Sequence, residues 1–480
     1  VRFRQLRFGL SVFAVSLTLL LVRFLVPRPV GMADNGDGWR LLCKLGGRQL
    51  DRPSEGFVRF TYGAAPPCDS AYVSSQTWLD WAASKLGALF GVPGVLNLIV
   101  LGVLSCVLVA VAITATVAGL GPRGWHRWLA TALLLLVMAD SAFFGYFASV
   151  LSEGAAFLGI LLICGGLLLM HRRLGLRRAG AVVTVLGGLI GLNAKSQTLV
   201  LIPLFALAVL LVRPGRARGK ARWALPGTVL AIVAAGTLAM QSQGDPANTE
   251  YRQANMYNAI FSSIVDGKHD TNGDLTALGL PTSFAQYIGT GWWSANAAWH
   301  DPLYPKYEKQ ISRRNVVHYY TTHPGRVTEI LQQGGVDTLT ARPENLGSFG
   351  ESSGEPRLAK EYRVPVFSGL AAFAAPLGLF VLVPIWVLVA VAGVRSFRRQ
   401  RREYGIVLFL LLFFAVGQLG LSALGEGIEG VKHQVLTLFP TVLAIVFGIL
   451  SLLPRATEEP AESAPARDED APTEVIPAIS

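Results

Sequence analysis

With 480 residues, 52% of them hydrophobic and only 15% charged, the chain has too little polar surface for a water-soluble globule of its size. A mean hydropathy of +0.45 and repeated apolar windows of about 20 residues point to a bilayer instead. The net charge of +11 is concentrated in short connections between apolar runs, which makes it a topology signal and gives no reason to expect nucleic acid as a partner.

The predicted fold is an all-α polytopic membrane protein. About ten transmembrane spans are expected, near 6–26, 93–120, 128–147, 152–170, 180–194, 197–212, 223–241, 369–394, 404–424 and 434–453. The fifth and sixth are short enough to form a tight hairpin. The first has a basic start and an apolar run, as a leader peptide does. It lacks a small-residue cleavage site and is followed by Arg23, Pro27, Arg28 and Pro29, so it is expected to be retained. Basic residues collect on one side: Arg2, Arg4 and Arg7, then Arg123 and Arg127, then Arg172, Arg173, Arg177 and Arg178. Arg213, Arg216, Arg218, Lys220 and Arg222 follow, and then Arg395, Arg398, Arg399, Arg401 and Arg402. The short opposite connections hold only Lys195 and Lys432. This bias places both termini in the cytoplasm of a bacterial plasma membrane.

Four regions follow. Residues 1–241 hold seven spans and a first outer loop at 27–92. Residues 242–368 form a mostly helical extracytoplasmic domain, close to neutral, between spans seven and eight. Helices are expected at 253–261 and 312–320, with breaks at Asp301-Pro302, His323-Pro324 and Arg342-Pro343. Residues 369–453 supply three more spans, and the acidic tail 454–480 is too polar to fold. No internal repeat, P-loop, dinucleotide fingerprint or spaced Cys/His metal cluster is present.

The candidate chemistry lies on the outer side. In Met32-Ala33-Asp34-Asn35-Gly36-Asp37-Gly38, the Asn-Gly step favours a turn that can aim two carboxylates into one pocket; a solvated turn is the plainer reading. Cys43 and Cys68 share the same loop. An oxidising compartment would bridge them at a gain of roughly 3 kcal/mol in the chain-entropy model, and a reducing one would leave two free thiols. Farther on, Trp78, Trp81, Lys85 and Leu89 fall near one stripe of a helix suited to the headgroup layer; it can equally be an outward extension of the next span.

Glu153 stands at the outer junction of spans three and four, where an acid can serve chemistry or merely begin a helix. Asp140, inside span three, needs a partner or a water-filled cavity. Lys195, at the turn between the two short spans, suits a lipid phosphate as a point charge, unless it only snorkels. The last outer turn, Gly425-Glu426-Gly427-Ile428-Glu429-Gly430-Val431-Lys432-His433-Gln434, crowds three glycines with two acids, Lys and His. Such a turn can approach a ligand closely or act as a hinge.

On these residues the chain resembles the GT-C superfamily of integral-membrane glycosyltransferases, which use polyprenyl-phosphate-linked sugars. The acids of Asp34 and Asp37 match the first-loop acidic motif, the Trp78/Trp81 stretch the surface helix, and 242–368 the later outer region. The Met32–Gly38 run, Asn255 and Leu278-Gly279-Leu280-Pro281 further resemble actinobacterial hexose transferases of surface-glycan biosynthesis.

The resemblance implies an inverting transfer of a hexose from a polyprenyl-phosphate carrier to a hydroxyl of a glycan, lipid or protein acceptor. Asp34 is expected as general base, with Asp37 as second choice and Glu153 nearby. Lys195, with Lys432 or His433, would stabilise the leaving phosphate, and Arg40 and Glu426 would help to bind the substrate. No cofactor is required, although a divalent cation between Asp37 and Glu153 is compatible with the spacing. Two other classes remain open: a transporter or lipid-carrier flippase, and a non-catalytic scaffold for envelope assembly.

Overall fold

A backbone N–H or C=O left unpaired in lipid is costly, so long apolar runs become helices, which pair these groups internally. The computed structural model describes residues 2–453 apart from 48–55, 67, 69, 71, 122–123, 173, 213–220 and 245–248. The tail 454–480, expected to be disordered, lies outside the described residues.

In chain order the helices begin with α1 (Arg2–Leu25), α2 (Trp39–Lys44), α3 (Gln76–Leu89), α4 (Leu98–Leu120), α5 (His126–Ala139) and α6 (Glu153–Met170). Then come α7 (Leu174–Leu192), α8 (Leu201–Leu211) and α9 (Ala221–Gln241). The outer region adds α10 (Thr249–Asn258), α11 (Thr271–Ala277), α12 (Tyr304–Tyr307), α13 (Arg313–Thr322) and α14 (Pro324–Thr340). The chain returns to the bundle through α15 (Val366–Ala374), α16 (Leu379–Arg398), α17 (Arg402–Gly425) and α18 (Gly430–Leu452). One short antiparallel pair, β1 (Thr61–Tyr62) with β2 (Leu96–Asn97), sets Thr61 against Asn97 and Tyr62 against Leu96.

Among the described residues eight helices, α1, α4, α6, α7, α9, α16, α17 and α18, are long and apolar enough to cross a membrane. The remaining two expected spans are shorter. The run read as 128–147 is helical only to Ala139 and then passes through a 3-10 stretch at Phe144–Ala148. Asp140 is the cause. Its Oδ1 accepts from the Ala142 N–H at 2.9 Å, while Oδ2 accepts from Phe367 and Ser368 N–H at 2.7 and 3.2 Å. One buried carboxylate thus ends α5 and caps the first turn of α15, and backbone donors are its partners.

The sixth span is a 3-10 turn, Ser196–Val200, followed by the 11 residues of α8. The fifth, expected to be short, is a 19-residue helix. The eighth is broken at Gly378, between the short apolar stretch Val366–Leu377 and α16.

α6 is buried along its whole length and packs against α4 and α7. A Cβ at Gly159 would lie 2.2 Å from the Gly191 Cα, so only glycine lets α6 and α7 come this close. The described basic residues of three connections lie at one end of the bundle. There Arg127 lies over the Phe8 ring, Arg172 donates to the Gly119 carbonyl (2.7 Å), and Arg401 donates to the carbonyls of Ser451 (2.8 Å) and Leu453 (2.6 Å).

At the opposite end α10 to α13 surround an apolar cluster that includes Tyr257, Phe261, Phe284, Val316 and Tyr319. α14 leaves that cluster and packs along α17 and α18. The segment after α14 then threads back through the first outer loop. Gly31 N–H donates to Ser348 O (3.1 Å), Ala33 to Gly347 O (2.9 Å) and Val58 to Phe349 O (2.8 Å). Arg23 of α1 pairs with Glu361 of this segment inside the protein, which fastens the outer region to the first helix. α3 is separated from α4 by the 90–97 loop, so it does not extend the next span. Leu79, Asp80 and Ala83 of α3 face inward, while Trp78, Trp81 and Leu89 face outward.

Candidate functional site

Five segments, far apart in sequence, meet at the end of the bundle opposite the basic connections. The first is the Asp34–Gly38 turn. Asp34 is 4% exposed, and its Oδ1 accepts from the N–H groups of Gly36 (3.0 Å) and Gly38 (2.8 Å), which closes the turn over the carboxylate. Burial pushes the Asp34 carboxyl above its ordinary range, against the opposing pull of the Gly38 and Gly36 donors. Asp34 lies beneath the turn and does not line the neighbouring cleft.

Asp37, by contrast, reaches that cleft and pairs with Lys432 and with Arg40 (3.1 Å). Burial acts to raise its pKa, but the Lys432 and Arg40 cations outweigh it and hold the carboxyl well below the usual range. Arg40 also lies over the Tyr72 ring, 5.6 Å from its centroid.

Glu153, buried at the start of α6, accepts from Lys195 Nζ at 2.9 Å, where the positive helix end favours a carboxylate. Gln76 of α3 steadies this start, since its Oε1 accepts from Ala155 N–H (3.1 Å) and its Nε2 donates to Asp80 (2.9 Å). Lys195 sits in extended backbone just after α7. Ser75 N–H donates to Asn193 O (2.7 Å), and the hydroxyls of Ser74 and Ser75 donate to Ala194 O (2.6 Å) and Ile190 O (2.5 Å). Burial acts to lower the Lys195 pKa, yet Glu153 and Glu426 hold it above its ordinary value, so the ammonium persists.

The turn before α18 completes the ring. Glu426 accepts from Gln197 Nε2 at 2.5 Å, and burial raises its carboxyl against the pull of Lys195 and Gln197. His433 Nδ1 lies 3.1 Å from Lys195 Nζ and 3.3 Å from Glu426. Glu429, in left-handed backbone (φ 51°), accepts from Asn35 Nδ2 (2.5 Å) and Lys432 Nζ (3.0 Å). A Cβ at Gly430 would fall 2.0 Å from Asp337 Oδ2, so a larger residue there would displace that carboxylate.

These segments surround a narrow cleft of about 20 Å³ whose walls include Asp37, Arg40, Tyr72, Ser152, Glu153, Lys195 and Lys432. Three cations beside two carboxylates can hold an anion such as a phosphate and keep a proton acceptor close to it. Among the described residues no group of three or more His, Cys, Asp or Glu side chains is arranged to hold a metal ion.

The structure therefore brings Asp37, Arg40, Glu153, Lys195, Glu426, Lys432 and His433 into one network, with Asp34 directly below it. Cys43 and Cys68 are bonded, with Cα atoms 5.3 Å apart. Sequence reasoning gave no role to Tyr72, whose hydroxyl lies 3.0 Å from Ser152 Oγ, or to Gln197. The only local signal was a polar side chain beside an outer helix end.

Residues 4–456 match the profile of a family described as YfdI N-terminal transmembrane domain. No curated protein and no solved structure matches the chain.

Proposed function

The chain belongs to the YfdI N-terminal transmembrane domain family, and from that premise we propose that it is a membrane glycosyltransferase of the GT-C type. It would move a hexose from a polyprenyl-phosphate carrier to an acceptor hydroxyl on the extracytoplasmic face, in cell-surface glycan biosynthesis. The single observation that carries this reading is the convergence of Arg40, Lys195 and Lys432 on the carboxylates of Asp37 and Glu153 in one cleft. By the positive-inside rule the basic end of the bundle faces the cytoplasm, which puts the cleft outside, at the level of lipid headgroups.

A carrier phosphate entering the cleft competes with Asp37 and Glu153 for the lysines. As Lys432 turns toward the phosphate, the charge that holds the Asp37 pKa down is shared, and Asp37 gains proton affinity. It then takes the proton from the acceptor hydroxyl as that oxygen bonds to the anomeric carbon. The bond from the anomeric carbon to the phosphate oxygen breaks, and its electron pair leaves with the phosphate. Lys195 and Lys432 stabilise this growing charge, and attack opposite the phosphate inverts the anomeric centre. Asp37 replaces Asp34 as the preferred base, because Asp34 is sequestered beneath its turn while Asp37 lines the cleft.

The test is transfer from a radiolabelled polyprenyl-phosphate hexose by protein in lipid nanodiscs. Asp37→Asn should lower the rate by about 10²–10⁴-fold, the usual worth of general-base help. Asp34→Asn keeps an acceptor oxygen for Gly36 and Gly38 and should stay within about tenfold of wild type. Wild-type turnover by Asp37→Asn would remove the assigned base.

A further inference from the structure

A second cavity, of about 330 Å³, lies between the outer region and the bundle, walled by α14, the 262–269 segment and residues 422–434. Its size is at the lower end of small-ligand sites, about 300–1,000 Å³. Glu429 lines it, and the same carboxylate holds Lys432, which lines the first cleft. The two spaces are therefore divided by the Glu429–Lys432 ion pair.

Their charges differ. Three cations face two carboxylates in the first cleft. In the second, Asp266, Glu329, Asp337 and Glu429 face the permanent cations of Lys268 and Arg326. An anion is drawn to the first and disfavoured in the second. The second cavity is instead rich in hydroxyl partners: carboxylates and the amides of Gln333 and Gln434. Ser422 also lines the cavity, although its Oγ is shielded from it.

We propose that this second cavity holds the acceptor, and that the acceptor is a neutral, polyhydroxylated saccharide whose attacking hydroxyl reaches past Glu429 into the first cleft. The attacking step rests on the transferase reading above; the binding does not. Separate cavities of opposite charge bias keep the phosphate-bearing donor and the neutral acceptor from exchanging places.

Gln333 is exposed at the edge of the cavity, and the remaining thiols, Cys106 and Cys164, are buried while Cys43 and Cys68 are bonded. Gln333→Cys in the full chain, held in nanodiscs, is labelled with a maleimide. The probe is a pool of neutral oligosaccharides released by mild acid from the envelope of the producing organism. The control is the same pool after oxidation of its primary hydroxyls to carboxylates.

The neutral pool should slow labelling about tenfold at ten times its half-protecting concentration, and the oxidised pool should not. Equal protection by both pools, or none by the neutral one, overturns the proposal. A second variant, Gln333→Trp, plugs the cavity. It should raise the acceptor KM with kcat and the donor KM unchanged. An unchanged acceptor KM in an active enzyme refutes this site alone, whereas saccharide protection without any hexose transfer by wild type refutes the transferase reading alone.

Discussion

Lys432, in the first turn of the last membrane helix and 1% exposed, donates to Asp37, which stands 395 residues earlier in the chain. Glu429 accepts from the same ammonium at 3.0 Å. A buried cation persists only when paired and hydrogen-bonded, so this triad clasps the first outer turn to the helix that carries Lys432. Lys195 and Glu153 form a second clasp between the middle helices.

Removing one partner should leave the others stranded. Lys432→Met is expected to cost about 3–5 kcal/mol, the usual penalty for breaking a buried pair from one side. Adding Asp37→Asn should restore part of that loss. Thermal unfolding in detergent measures both, and a wild-type midpoint for Lys432→Met would show that the pair contributes no stability.

Asp80 predicts a pH effect. Burial raises its carboxyl to about 7, against a lowering by its Gln76 hydrogen bond. The folded state then binds a proton that the unfolded state has already released, so stability falls as pH rises between about 4 and 7. The slope from this group is on the order of 1.4 kcal/mol per pH unit within that window. Asp80→Asn should flatten the profile there and be more stable than wild type above pH 7; unfolding midpoints taken across that range decide it.

The contact of Gly430 with Asp337 predicts strain on substitution. Gly430→Ala should displace the Asp337 carboxylate at a cost of about 1 kcal/mol, the low end for an overpacked site, and Asp337→Ala should rescue it. Chemical denaturation of the two single variants and the double variant measures the coupling. Simple additivity would mean that the two groups do not meet.

Asp140 should behave as a cap and not as a transported or catalytic charge. Asp140→Ala is expected to lose about 0.5–2 kcal/mol, as other cap deletions do, with hydrogen exchange quickening at Phe367 and Ser368. Unchanged exchange at those two amides would contradict the role.

The membrane helices were legible because an apolar run has few other ways to satisfy its backbone in lipid. Their ends were less so. α7 begins at Leu174 because Arg177 and Arg178 extend the helix beyond its apolar part, where the sequence reads as a loop. Phe144–Ala148 is as apolar as a helix, and its departure from one depends on Asp140 meeting α15, more than 200 residues away. The site shows the same limit. Asp34 and Asp37 are equivalent in local sequence; Lys432, at the far end of the chain, gives Asp37 its counter-charge, and the turn of backbone amides encloses Asp34. Charge at the outer rim could be read residue by residue, but which charges touch is set by packing among distant helices.

The Asp37–Lys432 clasp also bears on biosynthesis. Translation delivers the first outer acids long before α18 leaves the ribosome, so the nascent protein carries Asp37 without its lysine through most of its insertion. Neither half of a split chain holds a finished cleft. For this protein, completing the topology and completing the cleft are the same event.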